Sequence, residues 1–260
     1  MLKVDNLSIQ FGGLKAVDDF SLTISEKQIV GLIGPNGAGK TTVFNMLTGV
    51  YKPTSGRINY KSKDIHGFKP YIITQKKIAR TFQNIRLFSN LTVLDNLKIS
   101  YGFNTKYNLL DSVLRTPRFQ REELRIRNAS MELLKAFNLD GKAEEFARNL
   151  SYGDQRRLEI ARALATEPDL LLLDEPAAGM NPQETHELMN LIGWIRDNFN
   201  VSVLLIEHDM KLVMGICEKI AVLDYGKKIA EGTPEQIKNN KRVIEAYLGE
   251  TDEGGMVVNA

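Results

Sequence analysis

Gly34-Pro35-Asn36-Gly37-Ala38-Gly39-Lys40-Thr41-Thr42 decides how the rest of this chain is read. It follows the apolar run Gln28-Ile29-Val30-Gly31-Leu32-Ile33, which reads as a buried strand, and it opens the helix-like run Val43-Phe44-Asn45-Met46-Leu47. Strand, glycine-rich turn and helix in that order form the setting of a phosphate-binding loop. Gly34, four intervening residues and Gly39-Lys40-Thr41 match the P-loop spacing. Glycines let backbone N–H groups close around the β- and γ-phosphates of a nucleotide, and the helix N-terminus adds a favourable dipole. Gly34, Asn36, Gly37, Ala38, Gly39, Lys40, Thr41 and Thr42 are the candidate nucleotide contacts; Lys40 neutralises the β/γ oxygens and the Thr41 hydroxyl ligates Mg²⁺. A plain turn needs one or two glycines but no Lys-Thr directly after them. Kinases, GTPases, helicases and transport ATPases share the motif, so the class must come from elsewhere.

The 260 residues suffice for one large domain with subdomains or two small ones. A 43% hydrophobic fraction with 25% charge is that of a globular protein, so disorder is expected only at the ends. A formal net charge of +2 gives no electrostatic footprint for a nucleic acid, and none is expected as partner. With Cys217 as the one cysteine, no internal disulfide can form, which fits a cytosolic location. Met1-Leu2-Lys3-Val4-Asp5 enters a strand-like alternation without the pattern of a signal peptide. No apolar run approaches the roughly 20 residues that span a bilayer. If the protein works at a membrane, another chain must supply the span.

Taken in order, Leu2 to Phe11 and Val17 to Ile24 read as antiparallel strands around Gly12-Gly13. Phe11 is either a strand-end core aromatic or a ring that could stack on adenine. Thr48-Gly49 stops the P-loop helix, and Pro53-Thr54-Ser55-Gly56 turns into Arg57-Ile58-Asn59-Tyr60. Pro70 to Ile78 is expected to be a helix and Ala79 to Gln83 a short strand. From Asn90 the texture becomes helical, with Leu91 to Ile99 and Pro117 to Phe137 as helices, Leu124, Met131, Leu134 and Phe137 as a core stripe, and Tyr101 to Thr116 as a loop-rich excursion. Ser151 is placed as the N-cap of a helix over Arg156 to Ala165. Leu170-Leu171-Leu172-Leu173-Asp174-Glu175 is a buried strand ending in two acids, where α/β sheets bind ligands. Asp174 fits as the Mg²⁺-orienting acid and Glu175 as the residue that polarises an attacking water. A helix over Pro182 to Phe199, a strand over Val201 to Ile206, Glu207-His208-Asp209, a helix over Met210 to Cys217, a hairpin around Tyr225-Gly226 and a short helix after Thr233-Pro234 complete the core. The tail from Glu250 to Ala260 is expected to be mobile unless a partner holds it.

With these pieces placed, residues 2 to about 248 resemble the ATP-binding cassette ATPases. The order carries the resemblance: P-loop 34–42, Gln83 after a strand, the signature-like 150–155 opening a helix, Asp174-Glu175, and His208 after the last core strand. GTPases, kinases and recombinase-type motors lack the signature segment. The resemblance implies an α/β fold: a P-loop NTPase core with a mixed central sheet, an antiparallel β subdomain and an inserted α-helical subdomain. It divides the chain into a core of 1–89 with 160–248, a helical subdomain of 90–159 and a tail of 249–260. It implies ATP and Mg²⁺ as cofactors, Phe11 as the adenine-stacking aromatic, Gln83 as the Mg²⁺- and water-sensing glutamine, and His208 as the γ-phosphate switch histidine.

In that family ATP sits between two cassettes, each P-loop facing the other chain's signature. Ser151, the Gly153 backbone and a helix N-terminus would present donors to the γ-phosphate, so ATP closes a dimer and hydrolysis opens it. The second cassette is a copy of this chain or a paralogue. The chain departs from the family's Leu-Ser-Gly-Gly-Gln pattern at Tyr152 and Asp154, so the Asp154 carboxylate is expected to point away from phosphate. Asn181 stands where the family usually has Asp. Within the family, Phe11 to Val17, Ala79 to Phe88, Leu150 to Gly153 and Asp174 to Pro182 look most like bacterial importers of branched-chain amino acids. The implied partners are membrane permease subunits docking around Gln83 to Leu97 and, indirectly, a periplasmic or extracellular binding protein. The implied location is the inner face of the cell membrane. The cassette of lipopolysaccharide export is a near relative, and a soluble non-transport cassette ATPase is the reading from another class.

Overall fold

A computed structural model describes residues 1–103, 105 and 107–248. The expected mobile tail lies outside the described residues. The chain divides into two compact units, Met1–Arg80 with the chain from Asp169 onward, and Thr81–Pro168.

The first unit is built on two sheets. β1 (Leu2–Phe11), β2 (Leu14–Ile24), β4 (Ser55–Tyr60) and β5 (Lys63–Asp64) form an antiparallel sheet in the order β2-β1-β4-β5. Alternation drives this layer: Leu2, Val4, Leu7 and Ile9 of β1 and Val17, Phe20, Leu22 and Ile24 of β2 point into the core, with polar residues between them. The second sheet has the order β10-β9-β3-β8-β7-β6. Its strands are β3 (Ile29–Ile33), β6 (Ile78–Arg80), β7 (Leu170–Asp174), β8 (Ser202–Ile206), β9 (Lys219–Asp224) and β10 (Lys227–Gly232), parallel apart from the antiparallel edge strand β10. β3, β7 and β8 are buried at every position, which their unbroken apolar runs require of strands covered on both faces. Around them run α1 (Lys40–Leu47), α2 (Pro70–Gln75), α7 (Pro182–Phe199), α8 (Met210–Ile216), α9 (Pro234–Lys238) and α10 (Lys241–Leu248).

The second unit is helical: α3 (Val93–Gly102), α4 (Leu109–Leu114), α5 (Pro117–Ala136) and α6 (Tyr152–Leu164). Thr92, Asn108, Thr116 and Ser151 cap them, each side-chain oxygen accepting an amide of the first turn.

Several local expectations are corrected. α2 ends at Gln75, and Lys77, at φ +67°, turns the chain into β6. Gln83 is not in that strand: pairing with β7 stops at Arg80, and the Phe82 and Gln83 carbonyls accept from the Arg156 side chain instead. Residues 101–116 contain α4, closed by a capping box between Asn108 and Asp111; it buries no side chain, so it leaves no apolar rhythm to read. In α5 Leu124 is 59% exposed, and the buried stripe runs through Glu122, Ile126, Ser130, Leu133 and Leu134 before Phe137. The signature helix starts at Tyr152, directly after its Ser151 cap, four residues before the expected Arg156. α10 was not anticipated.

The phosphate loop grows out of β3 under tight steric control. Gly34 has φ +148°, and a Cβ there would lie 2.0 Å from the Leu223 carbonyl oxygen of β9. At Gly37, φ +77°, a Cβ would meet nothing within 4 Å. Gly34→Ala is therefore expected to destabilise by about 3 kcal/mol or more, through strain plus a backbone clash. Gly37→Ala should cost only about 1–2 kcal/mol for its left-handed backbone. Urea midpoints of the two variants check this; equal midpoints would contradict it.

Candidate active site

The parallel ladder fixes where the functional loops emerge. Leu32 of β3 pairs with Ile206 of β8, and Ile206 pairs with Asp174 of β7, so the three residues stand level across the sheet. Immediately beyond this line come Gly34, Glu175 and His208. With strands about 4.8 Å apart, the P-loop and the Asp174-Glu175 turn leave the sheet about 10 Å from each other, with the His208 turn between them. That is the carboxyl edge, where open α/β sheets take ligands.

The loop is shaped as a cradle with a charge folded into it. Gly39 is the N-cap of α1 and supplies no side-chain acceptor, so the first turn presents its amides to an outside anion. Ala38 is tied into place by its amide to the Pro35 carbonyl (3.1 Å) and by its own carbonyl, which accepts from Gly226 (2.9 Å). Lys40 is 7% exposed, and its Nζ donates to the carbonyls of Gly34 (2.6 Å) and Pro35 (2.8 Å). Its ammonium is thus pinned to the loop carbonyls. Asn36, Gly37 and Thr41 are exposed and Thr42 is half-buried.

Asp174 is buried and forms an ion pair with Arg80, Nη2 to Oδ2 at 2.6 Å. Arg80 Nη1 donates to Asn45 Oδ1 (2.7 Å) and the guanidinium lies over the Phe44 ring at 5.4 Å, so α1, β6 and β7 are linked beneath the P-loop. Arg80 and Asn45 were not singled out in the sequence, because an ion pair across 94 residues leaves no local pattern. Among the described residues no group of three or more His, Cys, Asp or Glu could hold a metal. That donor set still suits Mg²⁺, which is held by one or two protein oxygens together with substrate phosphates; the exposed Thr41 hydroxyl and Asp174 are the candidates.

Glu175 carries the backbone signature of a constrained site, with φ +48° in a residue other than glycine. Its amide donates to the Ile206 carbonyl (2.9 Å), and its Oε2 lies 3.9 Å from His208 Nδ1. Sequence reasoning passed over Glu207, which holds this arrangement. Its carboxylate is 1% exposed; Oε1 accepts the Ala177 amide (2.7 Å) and Oε2 the His208 amide (3.1 Å). Burial pushes its carboxyl above the usual range, and those amides pull it back. The signal was available, since Glu207 directly follows a buried central strand, as Glu175 does. His208 itself is exposed. Phe11 is 45% exposed and forms a T-shaped pair with Tyr51 at 5.2 Å, so it is not a core aromatic.

Gln83, Ser151 and Gly153 belong to the helical unit. Gln83 is exposed in an irregular segment, and Ser151 Oγ accepts the Asp154 amide (3.2 Å) at the start of α6. Asp154 Oδ2 pairs with Lys142 at 2.6 Å. Burial works against that charge, yet the Lys142 ammonium and the Ser151 hydroxyl hold the carboxyl below the usual range. Asn181 caps α7, accepting the Gln183 and Glu184 amides (both 3.0 Å) while Glu184 accepts the Asn181 amide (2.9 Å).

Comparison with known proteins now adds to this geometry. The profile of the ABC transporter family matches residues 17–178, and that of the branched-chain amino acid ATP-binding cassette transporter matches residues 227–253. The chain is 50% identical over 250 residues to the high-affinity branched-chain amino acid transport ATP-binding protein LivG of Salmonella typhimurium, covering 96% of this chain and 98% of that one. It is 36% identical to the lipopolysaccharide export system ATP-binding protein LptB of Haemophilus influenzae, with the same coverage. The crystal structure of the ADP conformation of MJ1267, an ATP-binding cassette of an ABC transporter, superposes with a TM-score of 0.83 at 31% identity, covering 96% of this chain and 98% of that one.

Two outcomes follow from the site. Glu207→Ala strands two backbone amides, at about 1–3 kcal/mol for each that stays buried, and frees the Glu175 and His208 turns. Denaturation should show that loss and nucleotide hydrolysis should fall about tenfold to a hundredfold; wild-type stability and turnover together would exclude the bridge. For Asp154, the folded state releases its proton more readily than the unfolded chain. Its stabilisation is therefore complete above the ordinary carboxylate range and disappears as pH falls through the lowered value. The stability gap between wild type and Asp154→Asn, followed by urea denaturation, should close on acidification. A gap independent of pH would show that the ion pair contributes nothing.

Proposed function

The chain belongs to the ATP-binding cassette transporter family, and from that premise we propose that it hydrolyses ATP to drive uptake of branched-chain amino acids through a separate membrane permease. The observation that carries the catalytic reading is the convergence of the P-loop, the Asp174-Glu175 turn and the His208 turn at one edge of the sheet. The substrate class is inferred from the 50% identity to LivG and from the branched-chain profile over 227–253, against 36% to the lipopolysaccharide-export cassette.

In this reading the adenine stacks on Phe11, and the amides from Asn36 to Thr42 with the Lys40 ammonium take the β- and γ-phosphates. Thr41 and Asp174 would hold Mg²⁺, which would supply Lewis-acid neutralisation of the phosphate oxygens, and Gln83 is the proposed Mg²⁺- and water-sensing glutamine. Glu175 accepts a hydrogen bond from a water and turns its oxygen toward the γ-phosphorus; as the water oxygen–phosphorus bond forms, the bond from that phosphorus to the β–γ bridging oxygen breaks, the water's proton passes through Glu175 to the released phosphate, and ADP and phosphate leave. His208, whose amide is held by Glu207, is proposed to contact the γ-phosphate oxygens. Ser151 and the Gly153 amide serve the nucleotide of a second cassette, so ATP joins two cassettes and its hydrolysis releases them. Among the described residues no helix is long and apolar enough to cross a membrane. Permease subunits in other chains, docking around Gln83 to Leu97 at the inner face of the membrane, complete the proposal.

Glu175→Gln tests it, because the amide keeps the shape and loses the charge that orients water. Sedimentation should show Glu175→Gln protein passing from monomer to dimer on addition of Mg-ATP. Liposomes carrying the permease and this variant should take up leucine at least about a hundredfold more slowly than with wild type. Equal uptake would overturn the catalytic assignment.

A further inference from the structure

Arg156 and Glu159 are the chemistry in this molecule that the proposed reaction leaves unused. Both are on α6, one helical turn apart; Arg156 is wholly buried and Glu159 is 5% exposed, and they pair at 2.8 Å between Nη1 and Oε2. Moving two charges out of water costs several kcal/mol, so such a pair is a poor device for stability alone. What distinguishes this pair is where its remaining hydrogen bonds go. Arg156 Nη1 donates to the Phe82 carbonyl (2.7 Å) and Nη2 to the Gln83 carbonyl (2.8 Å). Glu159 Oε1 accepts the amides of Phe82 (3.4 Å) and Arg86 (3.2 Å). Arg162, a further turn along α6, donates to the Arg86 carbonyl. One stripe of the helix therefore grips the backbone on both sides of Gln83, in a segment with no strand or helix of its own. The planar guanidinium fork suits two successive carbonyls in a way a lysine would not.

We propose that Arg156 and Glu159 are positioning residues that fasten the Gln83 segment to the helix capped by Ser151, so that Gln83 and the Ser151-Gly153 end are carried as one body. The inference rests on the reading of Gln83 and Ser151 given above. A force applied to the segment after Gln83 by a docking permease is then delivered to the signature end without slack. The pair acts on hydrolysis through Gln83 and does not itself touch nucleotide.

The test uses the full chain carrying Arg156→Met with Glu159→Leu, since apolar replacement of both members of a buried pair commonly preserves the fold. Hydrogen exchange at the Phe82 and Arg86 amides should accelerate about tenfold or more, with the α6 amides unchanged. ATP turnover should show kcat down about tenfold with KM within about twofold, as expected when positioning and not binding is lost. Introduced into Gln83→Ala protein, the same two changes should cause no further loss, because the residue they act through is gone. Unchanged exchange at Phe82 and Arg86 would overturn the clamp. An equal fold-loss in the Gln83→Ala background would overturn its action through Gln83. If the double variant does not fold, Glu159→Gln, which keeps the volume and weakens the grip on Arg156, carries the same expectations at smaller size. Absence of turnover in wild type would instead overturn the catalytic reading of Gln83, while amide exchange would still decide whether the pair fixes the segment.

Discussion

The backbone ladder through Leu32, Ile206 and Asp174 is the constraint on which the candidate site depends. Each of these residues stands at or one residue before the end of a strand whose side chains are all buried, so none of the three strands can slip by one residue without driving apolar side chains out of the core or polar ones into it. Fixed register means fixed exits: the P-loop, Glu175 and His208 leave the sheet at one level because hydrophobic burial has already decided it. Chemistry at this edge needs tolerances of a fraction of an ångström. The unbroken apolar runs Ile29–Ile33, Leu170–Leu173 and Val203–Ile206 provide them.

Around that ladder, buried charge is used to hold backbone. Lys40 is pinned to two P-loop carbonyls, Asp174 to Arg80, Glu207 to the amides of Ala177 and His208, and Arg156 with Glu159 to the 82–86 segment. A charged partner makes a hydrogen bond roughly twice as strong as a neutral one, and in a low-dielectric surrounding a misplaced partner is costly. Irregular loops whose amides and carbonyls would otherwise exchange with water are thereby held in single conformations. The left-handed Glu175 is consistent with this, since its strained backbone persists because the Ile206 carbonyl and the Glu207 bridge hold the residues on either side.

What the sequence disclosed divides along the same physical line. Strands buried on both faces, capped helices and the P-loop are local patterns, and they were legible: β3, β7, α7 and the Ser151 cap stand where the residues place them. The candidates Lys40 and Thr41 were read from the P-loop spacing, Asp174 and Glu175 from the end of an apolar run, and His208 from the family resemblance alone. The errors lie where no local pattern exists. α4 exposes Leu109, Leu110, Val113 and Leu114 and so shows no core stripe. Ala79 to Gln83 reads as a strand from its residues, but beyond Arg80 the Phe82 and Gln83 carbonyls accept from one side chain, Arg156, 74 and 73 residues away. Arg80, Glu207 and Arg156 act through long-range contacts, and a single sequence carries no record of such pairings.

Of the departures from the family pattern, Asp154 and Asn181 acquire a local explanation. An acid in the first turn of α6 suits that helix dipole, and it would oppose a phosphate at the same end. Lys142 resolves the conflict by matching Asp154 at 2.6 Å, so the helix end that offers the Ser151 hydroxyl and the Gly153 amide carries no uncompensated negative charge. Asn181 needs no charge for what its side chain does here, because capping two amides of α7 requires only a carbonyl oxygen, which Asn supplies as well as Asp. Loss of the carboxylate therefore leaves the helix start intact and removes one negative charge from the loop between Glu175 and α7. Asn181 lowers the negative charge that a polyphosphate would meet, while the charge that Asp154 adds is matched by Lys142. The departures thus change how the charge is distributed while leaving the anion-facing helix ends available.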